Sequence, residues 1–215
     1  MPQYDESRTR DLLKDIDRWL PPDLRDNAAL SLEGLIRSRV LTCILVCSIV
    51  LTTFSFFTLS LLHLVTNHNF FRPIIFCLAS LLLVCLNYLY FYKAAKLDLS
   101  GIFYSLSFFS VCVISIVLTG GYDSPVRQIL ICCPVISFLI SGRHEGFYNA
   151  ALVFVVGVVL LILDQINFEL LQIMPTDILP YISGIVWLGT IVLIVLCLYI
   201  YDLLLDQKRS IRAKP

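Results

Sequence analysis

From Val40 to Tyr201 only eleven charged side chains interrupt the chain, leaving charge-free stretches at 40–71, 73–92, 99–122, 128–142, 146–163 and 178–201. A surface helix of a water-soluble protein carries a polar face opposite its apolar stripe, and these stretches have none. A helix that crosses a bilayer needs about 20 mainly apolar residues, with about 17 to 25 tolerated. The pattern therefore predicts an all-α polytopic membrane protein, a bundle of six transmembrane helices with short loops. The expected spans are 40–62, 73–92, 99–119, 125–141, 146–163 and 178–201. The fourth is the shortest, and Ser124-Pro125 supplies its start, with Ser as the cap and Pro at the first helical position. Gly120-Gly121 falls where the third span must stop and Gly142 where the fourth must stop.

The polar ends divide differently. Within Glu6–Leu20, Leu12, Leu13, Ile16, Trp19 and Leu20 recur at helical spacing and make one apolar stripe on a charged helix. Such a helix lies on the membrane surface, with Trp19 at headgroup level, or docks on a partner or on the bundle. Pro21-Pro22 ends it. A second helix, beginning between Asp23 and Ser31, carries Arg37 and Arg39 into the first span. Residues 1–39 thus form a cytoplasmic helical region, 40–201 the membrane domain and 202–215 a cytoplasmic tail. The turns are short except Asp164–Asp177 on the outer side.

Composition agrees with the pattern: 58% of residues are hydrophobic, 15% are charged, and mean hydropathy is +0.85. Orientation follows from Lys and Arg. With both termini inside, fourteen of the sixteen basic residues face the cytoplasm and only Arg72 and Arg127 lie outside. No secretory signal is expected before the first span, because the leading 39 residues are long and mixed in charge. The formal net charge is zero, membrane lipid is the expected surrounding, and no nucleic-acid partner is expected. All eight cysteines fall inside spans, so they are no secreted disulfide framework.

Catalysis and cofactors find little support. The spans hold no deep Asp, Glu, Lys or Arg, the groups that mark intramembrane chemistry. His63, His68 and His144 lie at span ends, so paired haem ligands are missing. His144-Glu145-Gly146-Phe147-Tyr148 lacks the second histidine of a zinc-protease helix. No enzyme activity, metal or cofactor is expected. Candidate ligand-binding residues remain. Gly120, Gly121, Asp123, Ser124 and Arg127 form an outer turn whose following helix presents free N–H groups, an anion or headgroup site or simply a well-made hairpin. His63 sits at the outer end of the first span. Asn87 and Asn149 are neutral polar groups in spans, either hydrogen-bonding glue between helices or ligand contacts. In the third span Gly101, Ser105, Cys112, Ser115 and Thr119 form a small-residue seam with Phe108 in the missing step, and Val113 is expected to face lipid.

Several of these features occur together in known order. The run WLPPDLRDNAALSLEGLIRSRVL with Arg37 and Arg39, Asn87, Gly120 to Pro125, Pro134, and Gly142, Arg143 and Gly146 resemble the six-span sensory domains that precede bacterial histidine kinases, diguanylate cyclases and class III adenylyl cyclases. The resemblance covers Trp19 to Leu205. It implies a non-catalytic sensory or receptor module, a homodimer in the bacterial cytoplasmic (inner) membrane, relaying a signal to a cytoplasmic kinase or cyclase effector. In that family an output domain follows the last span; here about a dozen residues follow, which suggests the sensor half of a longer enzyme or an orphan with a separate partner. Leu196, Tyr199, Leu203 and Asp206 continue a dimer-seam rhythm out of the membrane. An anchoring subunit of a membrane complex is the second expectation and a small-solute transporter the third.

Overall fold

The computed structural model describes residues 15–25, 32–65, 70–121, 124–166 and 168, with 189, 191, 192, 194, 195, 198, 199 and 202. The described elements are all helical. The first, α1, is seen at 15–18, and a single turn, α2, spans Pro22–Arg25. The long helices are α3 (Leu32–Val65), α4 (Phe71–Ala94) and α5 (Leu97–Leu118). A 3-10 segment at Pro125–Ile131 leads into α6 (Cys132–Ile140), and α7 spans Arg143–Gln165. Four of these, α3, α4, α5 and α7, are long and apolar enough to cross a membrane. At the sixth expected span the few described positions are helical, and the rest lies outside the described residues.

The helices outrun the charge-free stretches at both ends. α3 begins at Leu32 rather than 40, and α7 takes in Arg143, His144 and Glu145. A helix does not stop where its surroundings turn polar, because its backbone bonds are internal. It stops where backbone geometry changes. Ala95, with φ 51°, ends α4 in the left-handed region, and its N–H donates to the Phe91 carbonyl.

The fourth expected span is not one α-helix and is not among the four helices of membrane-spanning length. Pro125–Ile131 is wound as a 3-10 helix and only Cys132–Ile140 is α. Pro134 supplies a reason: it has no N–H to donate to a carbonyl four residues back, so it is tolerated in the first turn of a helix that restarts at Cys132. Length supplies a second. At about 2.0 Å rise per residue for 3-10 and about 1.5 Å for α, the 16 residues reach about 27 Å instead of about 24 Å. That brings a short segment close to the hydrocarbon thickness of about 30 Å.

Two buried clusters hold the helices together. Toward the end that carries Arg37, Arg39, Lys93, Lys96 and Arg143, here the basic end, Val40, Leu41, Ile44 and Leu45 of α3 meet Phe91, Tyr104, Ile136 and Ile140. Ile194, from the sixth expected span, packs against this cluster. Nearer the opposite end, Cys112 and Ile116 of α5 pack with Leu130, Cys133 and Leu160. The small-residue seam faces α6. Gly101, Ser105, Cys112 and Thr119 are buried, and a Cβ on Gly101 would stand 2.7 Å from Ile140 Cγ2. Val113 is not the free lipid-facing position expected. It is half-buried against the second cluster, while its neighbour Ile114 is exposed.

Candidate functional site

The sequence candidates fall into separate places. The Gly120–Arg127 turn is built as a hairpin. Gly120 and Gly121 both take positive φ, 112° and 63°, which side chains with a Cβ rarely adopt. Thr119 Oγ1 and Ser124 Oγ hydrogen-bond to each other, and Ser124 Oγ also accepts from the Val126 N–H at 3.2 Å. Ser124 is thus the cap its sequence promised, with Pro125 following it. Its oxygen is engaged in closing the turn, Arg127 is exposed, and Asp123 lies outside the described residues. His63 is exposed, and its Nδ1 accepts from the Phe70 N–H at 3.4 Å, joining the end of α3 to the start of α4.

Asn149 behaves as glue. Its Nδ2 donates to Ser137 Oγ at 2.6 Å, tying α7 to α6, while its buried Oδ1 has no hydrogen-bond partner. Beside it the same pair of helices approaches closely, since a Cβ on Gly146 would overlap the Phe138 ring. Asn87 behaves differently. It is 1% exposed, and neither its Nδ2 nor its Oδ1 has a hydrogen-bond partner. A buried polar group left unpaired costs about 1–3 kcal/mol, and few native groups are left so.

Asn87 belongs to the wall of a cavity of about 130 Å³ between α3, α4 and α5, with its two polar atoms covered. Asn87 sits about 24 Å along α4 from Phe71 and about 10 Å from Ala94, at membrane depth in the half nearer the basic end. Each helix gives one face at helical spacing: Ser48, Leu51 and Thr52 from α3; Ser80, Leu83, Val84 and Asn87 from α4; Tyr104, Ser107, Phe108 and Val111 from α5. Four of the five hydroxyls around it, all but that of Ser107, have partners. Ser48 Oγ and Tyr104 OH bond each other at 2.6 Å, Thr52 donates to the Ser48 carbonyl at 2.7 Å, and Ser80 donates to the Phe76 carbonyl at 2.9 Å. The Tyr104 ring stacks on Phe108 with centroids 6.0 Å apart. Among the described residues no Asp, Glu, Lys, Arg or His lines the space.

Of the sequence candidates, only Asn87 reaches this cavity. Ser48, Thr52, Ser80 and Tyr104 were missed. Ser80 and Asn87 stand seven residues apart on one face of α4, a signal that was legible, but Ser is too frequent in this chain for that spacing to single it out.

The basic end is clasped. Arg37 Nε donates to the Ile140 carbonyl at 2.7 Å, taking one of the carbonyls that the end of α6 leaves free, and Arg37 Nη2 reaches Asp98 at 3.0 Å. Arg39, 7% exposed, pairs with both carboxylate oxygens of Asp17 at 2.8 Å each. Residues two apart on a helix point about 200° apart, so this Arg-x-Arg grips the bundle with one side chain and the N-terminal segment with the other. Leu20 and Leu24 are buried, the latter in the first core cluster. The Tyr88 hydroxyl donates to the Trp19 carbonyl at 3.2 Å. The described part of the N-terminal segment is thus docked on the bundle, and Trp19 is exposed.

No protein-family model matches the chain, nor does any curated protein or solved structure.

Proposed function

We propose that this protein is a non-catalytic sensory module of the bacterial inner membrane, with six spans and both termini in the cytoplasm. It receives a small ligand within the bundle and relays its presence, as a homodimer, to a cytoplasmic kinase or cyclase effector. The observation that carries the reading is Asn87, a buried carboxamide with neither polar atom hydrogen-bonded, in the wall of a cavity between three helices. Polar groups kept at membrane depth without a packing role mark ligand or ion sites.

The route from cavity to cytoplasm is short. Tyr88, the residue after Asn87, holds the N-terminal segment through the Trp19 carbonyl. Ser48, bonded to Tyr104 at the cavity wall, lies on α3, the helix whose other end carries Arg37 and Arg39. A ligand shifts such a contact set only through unequal affinity for its two arrangements. The resemblance to six-span sensory domains supports the same reading, and fourteen basic residues on one side support its orientation.

The test is an output fusion. A dimeric kinase or cyclase domain joined in heptad register after Leu205 should give an active membrane-bound hybrid. Its activity should change as one to four residues are inserted at the junction, because each rotates the output by about 100°. Equal output from all four insertions means a passive tether, and the anchoring-subunit reading then replaces the sensory one.

A further inference from the structure

We infer a ligand class for this cavity: a neutral molecule of about five non-hydrogen atoms, mostly hydrocarbon, with one oxygen hydrogen-bonded to the Ser107 hydroxyl. The inference rests on the receptor reading above and deepens it.

Size is decided first. An apolar cavity of about 150 Å³ takes up benzene, and this one measures about 130 Å³. By proportion it holds about five carbon-sized atoms, too few for a ring with a polar head. Charge comes next. Among the described residues no Asp, Glu, Lys, Arg or His lines the space, and an ion carried into such surroundings loses its hydration uncompensated.

The oxygen follows from the hydrogen-bond inventory. The polar atoms of Asn87 are covered and take no part. Ser48, Thr52, Ser80 and Tyr104 already have partners. Ser107 alone among the lining hydroxyls makes no hydrogen bond to a described residue. It is half-buried and stands about 15 Å along α5 from Leu97, at membrane depth. A serine hydroxyl both donates and accepts, which suits an alcohol, a ketone or an ether, while Leu51, Leu83, Val84, Phe108 and Val111 supply an apolar wall for the carbon chain. Water fits worse. About four molecules at about 30 Å³ each fill the space, each wants about two to four polar partners, and Ser107 is the one hydroxyl left to offer them. A lipid acyl chain fills the space but leaves that hydroxyl unpaired.

The experiment uses the full chain in lipid nanodiscs, with 3-fluoropropan-1-ol as the probe, fluorine NMR line broadening as the readout and empty nanodiscs as the partition control. Competitors are compared at equal concentration in the bilayer. They are butan-1-ol, of the probe's size; pentane, which lacks the oxygen; butylammonium, which carries a charge; and octan-1-ol, with twice the chain length. We expect saturable binding displaced by butan-1-ol, with pentane about fivefold weaker for the lost hydrogen bond and butylammonium and octan-1-ol weaker still. Ser107→Ala should weaken the probe about fivefold and leave pentane unchanged. Val111→Phe, which fills the space from α5, should exclude both.

Equal displacement by pentane, butylammonium or octan-1-ol in the wild-type protein overturns the ligand class and leaves the receptor reading standing; that arm needs no variant to fold. Probe binding that is not saturable, or that survives Val111→Phe, also overturns the class. The receptor reading is tested separately in the hybrid fused after Leu205. Butan-1-ol should change its output in the wild-type chain and not with Val111→Phe. Saturable binding with no change in output keeps the class and removes the receptor reading.

Discussion

An unpartnered amide buried beside a cavity is a cost the folded protein carries, and that cost is measurable. Replacing Asn87 by Leu removes two buried polar atoms that make no hydrogen bond. Each unsatisfied group costs about 1–3 kcal/mol in a protein interior. In a bilayer the gain is smaller, since polar groups in membrane helices contribute on average about 0.6 kcal/mol and the unfolded helices also find partners. A net stabilisation of about 1–2 kcal/mol is expected. Leucine's greater bulk finds room in the adjoining cavity of about 130 Å³, so overpacking does not cancel it.

For a chain of this length, about 1 kcal/mol moves the melting temperature by about 2–4 °C, giving an expected rise of about 2–8 °C. Cys112, Cys132 and Cys133 are buried, so a thiol-reactive fluorophore added to detergent-solubilised protein reads core opening without an introduced label. Asn149 is the control, because there the same residue type has one unpartnered atom, Oδ1, but donates from Nδ2 to Ser137 at 2.6 Å and does not line the cavity. Asn149→Leu should lower the melting temperature, by about 1–3 kcal/mol of lost stability. If Asn87→Leu melts below wild type, Asn87 is hydrogen-bonded in the native protein, and the argument from its unspent amide is refuted.

Other consequences follow from the packing and the clasp. Gly101→Leu should destabilise the bundle by about 1–3 kcal/mol through overpacking against Ile140 and Ser141, while Ile114→Ala, exposed two residues from the seam's Cys112 and so on the opposite face of the helix, should change it far less in the same melting assay; equal effects would show that the seam is not a close contact. Arg39→Ala should leave Asp17 unpaired and release the N-terminal segment, read as faster proteolysis near Trp19, whereas Asp17→Ala combined with Arg39→Ala should recover part of the loss; no change in cleavage would mean that the pair is dispensable for docking. Reporter fusions at Lys96 and Arg212 should read cytoplasmic, and those at Asp123 and Asn167 external; a cytoplasmic reading at Asn167 removes the six-span arrangement.

Hydropathy and charge are local properties, and what depends on them alone was readable from the sequence. Charge-free runs long enough to span a bilayer located α3, α4, α5 and α7 to within a few residues except at the start of α3. Ser124-Pro125 marked a helix start, because a cap needs only the residues beside it. The small-residue seam of α5 was readable too, since one helix's own spacing defines a face. What the sequence left open depends on which distant residues arrive together. Asn87 and Asn149 have the same side chain and similar apolar flanks. One meets Ser137 across a helix hairpin and the other is buried without a hydrogen-bond partner between three helices, a difference set by residues up to 39 positions away in α3. Val113 and Ile114 are adjacent, and only the position of Leu160 and its neighbours decides which of them faces lipid. Arg37 and Arg39 read as a basic flank until the fold brings Ile140, Asp98 and Asp17 to them. A polar group in a membrane is judged by its partner, and partners are supplied by tertiary structure.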